Sequence, residues 1–237
     1  MPRDAAGELR VKLLAIDVLR TMKETRKLRE LAELTGLQPA VLSRYINGVV
    51  LPKLERAKWI VEKFARDELV RTLEALCRKR GERFLVTQDA LVKPWILRLV
   101  AYEAARRFGG ETVETVLTAA VDGVPLALKV AEEFGCGYCY AKERKEIHDA
   151  GYYEAVRQSF SGPVISTLYV PKPFLRKWSR VLIVDDVVRT GATALALLEL
   201  IEKAKASPVG VFAIFCSREG EEKIKSRGVK VEYILEA

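Results

Sequence analysis

The sequence predicts an α/β protein, a mostly parallel sheet flanked by helices, with a small all-α part in front of it. Three features point there. From residue 111 onward, apolar strand-like runs alternate with helical segments, and strands this apolar need cover on both faces. The first third shows only helical periodicity. Finally, "VLIVDDVVRTGAT", residues 181–193, is an apolar run that ends in two carboxylates and turns through a hydroxyl-and-glycine loop into a helix.

Taken in chain order, "ELRVKLLAIDVLRTMK" sets Leu9, Leu13, Ile16, Leu19 and Met22 on one helical stripe. Leu28, Leu31 and Ala32 then fit one face of a short helix that stops at Gly36. A second helix begins near Gln38 and Pro39, since proline is tolerated in a first turn, and ends at Asn47-Gly48, where a left-handed cap costs little. Pro52 closes the loop, and Leu54 to Phe64 resumes a helical period.

Residues 67–110 read as a connector. It holds a helix to about Lys79, a break at Gly81, a short strand at "RFLV" and a long amphipathic helix, "KPWILRLVAYEAARRFGG". In that last helix Trp95, Leu99 and Tyr102 are expected in the core.

The second part reads strand "TVLTAAV", helix "VPLALKVAEEFG", strand "CGYCYAK", and a polar loop from about Glu143 to Gly162. There follow a strand element in "PVISTLYVP", strand "RVLIVDDV", helix "TALALLELIEKAKA", strand "PVGVFAIFCS", helix "GEEKIKSRG" and strand "KVEYILE". The expected divisions are 1–68, 69–110 and 111–237.

The net charge of +8 is concentrated at the front: residues 1–80 hold 18 Lys and Arg against 11 Asp and Glu, the remainder 22 against 21. Such an imbalance suits a region that approaches polyphosphate, and equally a solvated basic surface. No apolar run approaches the roughly 20 residues that cross a bilayer. "MPRDAAGELR" lacks the apolar core of a secretion signal, so a cytoplasmic protein without a membrane partner is expected. "CGYC" (136–139) has C-x-x-C spacing but no second pair for a zinc site. In a strand the two sulfurs would start from α-carbons roughly 10 Å apart, too far for a disulfide, so core packing is expected. Asparagine occurs only at Asn47, a mild sign of a thermophilic source.

The chemistry is expected at 181–193. In a parallel sheet, ligands sit beyond the carboxyl ends of the strands, where Asp185 and Asp186 emerge. Backbone N–H groups of 189–193 at a helix N-terminus make a phosphate nest. Thr190 and Thr193 add hydroxyls, and Gly191 allows close approach. Two acids beside such a nest suit a sugar phosphate. The P-loop pattern and its lysine are missing, as is a G-x-G-x-x-G dinucleotide turn.

"VLIVDDVVRTGAT" closely resembles the 5-phosphoribosyl-1-pyrophosphate (PRPP) signature of type I phosphoribosyltransferases, and the likeness extends over 111–237. "AAVDGVPLALKVA" looks like that family's pyrophosphate loop and "AKERKE" like the basic strand end before its mobile catalytic loop. The resemblance implies the type I phosphoribosyltransferase fold. It implies that Asp185 and Asp186 bind the ribose hydroxyls, and that Val187, Val188, Arg189, Thr190, Gly191, Ala192 and Thr193 wrap the 5-phosphate. Asp122, Gly123 and Lys142 would then meet the pyrophosphate. Lys142, Arg144 or Lys145 would stabilise the departing group by charge. Mg²⁺ would arrive with PRPP near Asp185 and Asp186, held largely by the ligand's own oxygens. His148, the only histidine, falls in the mobile loop or is simply solvated.

"LRELAELTGLQPAVLSRYINGVVLPKLERA" resembles the helix-turn-helix of the lambda-repressor/Cro-like family. That likeness implies duplex DNA as a partner. Gln38, Pro39, Ser43 and Arg44 would face the major groove, and Lys27, Arg29 and Lys53 the phosphates. A generic helical hairpin is the alternative. Arg189 replaces a small or acidic residue common in the enzymes and resembles archaeal orotate-phosphoribosyltransferase-like regulators. Bacterial purine repressors of phosphoribosyltransferase type join the same two parts in the same order. The combined expectation is a homodimeric transcriptional regulator that senses PRPP or a nucleotide. The alternative is an active transferase for a purine or orotate.

Overall fold

The computed structural model describes residues 5–80, 84–146, 151–158 and 165–237. They form two compact units, Met1–Val100 and Ala101–Ala237.

The first unit is mainly helical. Helix α1 (Ala5–Thr25) buries Ala15, Ile16, Val18, Leu19 and Met22, while Leu9 and Leu13 each remain 46% exposed. The expected stripe is thus buried only along its second half, because periodicity marks a face without marking how far neighbouring helices cover it. Helix α2 (Leu28–Thr35) ends where Gly36 adopts φ 67°, its N–H bonded to the Ala32 carbonyl at 2.9 Å. That is a left-handed glycine cap. Helix α3 (Pro39–Ile46) starts on its proline and buries Leu42, Tyr45 and Ile46.

Helix α4 (Leu54–Leu76) is one unbroken rod through residue 68. Its Thr72 hydroxyl donates to the Thr21 carbonyl of α1 at 3.2 Å, and its buried Glu68 pairs with Arg26. The helix was expected to continue to about Lys79. Instead Cys77 turns extended, and β1 (Arg78–Arg80) pairs antiparallel with β2 (Phe84–Val86). "RKR" carries no apolar period to hold another helical turn. A short α5 (Gln88–Leu91) leads to α6 (Pro94–Phe108), where Leu99 is buried and Trp95 and Tyr102 are half-buried. Among the described residues no helix is long and apolar enough to cross a membrane.

The second unit holds the sheet. Its strands are β3 (Thr115–Ala119), β4 (Gly137–Ala141), β7 (Arg180–Val188), β8 (Ser207–Cys216) and β9 (Val231–Glu236), in the order β4-β3-β7-β8-β9. Every neighbouring pair is parallel. Helices α7 (Val124–Phe134), α8 (Ala192–Lys203) and α9 (Arg218–Lys225) connect them. Val181 to Val184 of β7 are completely buried, as a central strand covered on both faces requires. Cys136 and Cys139 are free thiols, and burial pushes the Cys139 thiol up to about 12.

One expected loop is partly a hairpin. Within 143–162, Tyr152–Gln158 form β5, which pairs antiparallel with β6 (Ile165–Pro171). Along β5 only Ala155 is buried, so the alternation that announces a strand is nearly invisible among its polar neighbours. His148 and the remainder of that expected mobile loop, residues 147–150 and 159–162, lie outside the described residues.

Candidate active site

The sheet order makes an opening at one place. Strand β3 continues through α7 to β4 on one side, and β7 continues through α8 to β8 on the other. Adjacent strands whose connections leave in opposite directions part at their carboxyl ends, a topological switch point. Accordingly the β3–β7 ladder stops at Leu117 and Ile183, whereas β7–β8 pairing continues to Val188 and Cys216. Asp185 and Asp186 lie on that one-sided extension. The strand runs past both acids, as "RVLIVDDV" suggests, and one residue further, to Val188.

The turn after β3 reaches the same place. A Cβ added to Gly123 would lie 2.2 Å from Thr118 Oγ1 and 3.2 Å from Asp185 Oδ1. Only glycine lets the Asp122–Gly123 turn come this close. Burial, and then the charge of Asp186, hold the Asp185 carboxyl well above its ordinary pKa, with Asp122 adding to the effect. The Asp186 N–H, bonded to Asp185 Oδ1 at 3.0 Å, pulls the other way.

Beyond Val188 the chain turns at once. Gly191 takes φ 75° and starts α8, its carbonyl accepting the Leu195 N–H at 2.9 Å. The Ala192 N–H approaches Thr190 Oγ1 at 3.5 Å. Backbone donors of 190–193 are thus gathered at a helix N-terminus, where partial positive charge favours an anion. Val188 and Gly191 are buried, Val187, Thr190, Ala192 and Thr193 half-buried, and Arg189 is exposed.

Lys142 follows β4 directly. Its backbone bridges Tyr169 of β6 at 3.0 and 2.8 Å, and its ammonium pairs with Glu146 at 2.6 Å. Lys145 pairs with Glu154 of β5 at 2.9 Å. Hydrogen bonding to these carboxylates raises both lysine pKa values. Glu143 pairs with Arg157, and the Tyr152 hydroxyl donates to the Glu146 carbonyl at 2.6 Å. Residues 142–146, including exposed Arg144, are so fastened to the β5–β6 hairpin.

Sequence reading missed two contributors at the loop's other side, Ser217 and Gly220. "SREG" carried a signal, because a serine before a charged helical run is a preferred N-cap.

Fold and opening together define an α/β protein whose parallel sheet has a switch point between β3 and β7, with the type I phosphoribosyltransferase architecture. The chain belongs to the phosphoribosyl transferase domain family, whose profile matches residues 88–235. It is 30% identical over 148 residues to a xanthine phosphoribosyltransferase of Bacillus cytotoxicus, covering 61% of this chain and 75% of that one. A xanthine phosphoribosyltransferase of Bacillus thuringiensis is 28% identical over the same shares. In fold it is similar to adenine phosphoribosyltransferase from Rhodothermus marinus, with TM-score 0.63, 23% identity, and coverage of 72% of this chain and 99% of that one. The Giardia lamblia enzyme gives TM-score 0.62, 20% identity, and 71% and 97% coverage.

These likenesses correct the regulator expectation. The relatives are named as transferases, and nothing in the match supports a DNA-binding helix-turn-helix or transcriptional control. The residues assigned to DNA sit in the first unit in ordinary roles. Gln38 is the N-cap of α3, Pro39 its first residue, and Lys53 the N-cap of α4. The Lys27 N–H is capped by Glu30 at 2.6 Å, Arg29 lies 3.6 Å from Glu33, and Ser43 Oγ accepts from Asn47 at 3.4 Å. Arg44 is exposed in the last turn of α3. Part of the basic excess of residues 1–80 is matched by acids of the same stretch: Arg26 pairs with Glu68, Arg20 lies 3.5 Å from Asp17, and Lys58 lies 3.5 Å from Glu55.

Proposed function

We propose that the protein is a cytoplasmic phosphoribosyltransferase that moves the 5-phosphoribosyl group of PRPP onto a purine base and releases pyrophosphate. The observation that carries this is the convergence, at one switch point, of the Asp185–Asp186 strand end, the Gly191 loop and the Asp122–Gly123 turn. A purine is favoured because the relatives above are named for xanthine and adenine.

In the reaction the bond from ribose C1 to a diphosphate oxygen breaks, a C1–N bond to the base forms, and the base loses a proton. Asp185 and Asp186 would accept hydrogen bonds from the ribose hydroxyls. The amides of 190–193, with the Thr190 and Thr193 hydroxyls, would hold the 5-phosphate, and Val187 and Val188 carry the strand to them. Asp122, Gly123 and Lys142 would face the diphosphate, with Arg144 and Lys145 adding positive charge where negative charge develops. For that, Lys142 and Lys145 must exchange Glu146 and Glu154 for the ligand.

The donor set suits Mg²⁺, since a cation beside Asp185 would relieve the burial and like charge that raise its pKa. Among the described residues no three His, Cys, Asp or Glu are grouped to hold a metal alone. Asp185 and Asp186 would hold it together with the ligand's oxygens, and it would supply neutralisation of the diphosphate.

The test is nucleotide formation from PRPP and Mg²⁺ with xanthine, guanine, hypoxanthine, adenine and orotate in turn. Turnover with at least one purine in the usual enzymatic range, about 1–100 per second, and none with orotate, is expected. Absence of product with every base would refute the assignment.

A further inference from the structure

The phosphate loop is held from behind. Ser217, the N-cap of α9, makes three hydrogen bonds, two that join its helix to the loop and one that caps the helix. Its N–H donates to the Val188 carbonyl at 2.9 Å, its hydroxyl donates to the Arg189 carbonyl, and the same oxygen accepts the Gly220 N–H at 3.0 Å. Two glycines complete the contact. A Cβ on Gly220 would sit 2.9 Å from Val188 Cγ1 and 3.0 Å from the Arg189 carbonyl oxygen. A Cβ on Gly191 would sit 3.3 Å from the Gly220 carbonyl oxygen. The loop and the first turn of α9 therefore meet backbone to backbone.

We infer that Ser217 is a positioning residue for the 5-phosphate: it fixes the Arg189 carbonyl against α9, leaving the amides of 190–193 turned to the ligand. A peptide unit carries N–H and C=O on opposite edges, so anchoring the carbonyl of residue 189 also sets the direction of the N–H of residue 190. A free loop could rotate that unit, and lost pre-organisation weakens binding without removing any contact to the ligand. The inference rests on the PRPP reading above.

The decisive experiment measures ribose 5-phosphate and pyrophosphate binding separately by calorimetry, on the full chain with Mg²⁺, beside steady-state kinetics. Ser217→Ala should weaken ribose 5-phosphate about tenfold, the worth of one hydrogen bond, and leave pyrophosphate affinity unchanged. KM for PRPP should rise with kcat retained. Ser217→Thr keeps both hydroxyl bonds and should restore wild-type behaviour. Because Ser217→Ala also removes a helix cap, Gly220→Ala serves as the second variant: it keeps the cap but presses on Val188 and Arg189, and should weaken ribose 5-phosphate likewise. Equal ribose 5-phosphate affinity in wild type and both variants, or equal loss for the two ligands, would overturn the positioning role. Failure of the wild type to bind ribose 5-phosphate would instead overturn the PRPP reading itself.

Discussion

Two stretches of this chain look like motifs, Val181–Thr193 in the second unit and Leu28–Ile46 in the first, and they differ in what they cost the fold. The first places Asp185 where burial and Asp186 oppose its ionisation, ends its strand without a β3 partner, and holds Gly191 at positive φ against Gly220. None of this is needed to make a sheet. The second contains a glycine cap, a proline at a helix start and an apolar stripe, each of which a short helical pair requires for folding alone. The lesson is that a motif informs about function where it departs from what stability asks.

The largest expected effect lies at the costly site. Asp185→Asn should lower kcat/KM for PRPP by about 100-fold or more, as loss of a desolvated charged hydrogen bond does. The same change should raise Tm at neutral pH, because it removes a carboxylate whose charge is opposed by desolvation and by Asp186. The sign follows from the direction of the shift. A folded-state pKa raised above the unfolded value means that the folded protein holds the proton more tightly. The stabilisation is full below the ordinary aspartate range and is lost as pH rises through the raised value. Differential calorimetry across pH should therefore show the Asn variant's advantage at pH 7 and none near pH 3.

Next in size, Gly191→Ala forces a side chain into φ 75° with Gly220 3.3 Å away. It should cost about 1–2 kcal/mol in urea unfolding and raise KM for PRPP. The smallest effect belongs to the other region. Gln38→Ala and Arg44→Ala, both exposed, should leave turnover unchanged and stability within about 0.5 kcal/mol. A large loss of turnover in either would break the contrast between the two stretches.

The strand and helix order after residue 111 was legible because each strand is a short, nearly unbroken apolar run. Strand β5 was not, because Ala155 is its sole buried residue and charged neighbours mask the period. The acids, Gly191 and Gly123 were legible as a pattern of residue types. Ser217 and Gly220 were not, since their importance arises from contact with a loop 28 residues away in the chain. Arg189 misled because it was weighed together with a helical pair whose features folding explains. Leu9 and Leu13 show the same limit: periodicity names a face and leaves its cover unstated.

One side-by-side assay tests the central contrast most directly: pyrophosphate release from PRPP, Mg²⁺ and the preferred purine by wild type, Asp185→Asn and Arg44→Ala. Turnover is expected from wild type and Arg44→Ala alike, and near-silence from Asp185→Asn despite its higher Tm. Equal turnover by wild type and Asp185→Asn would contradict it.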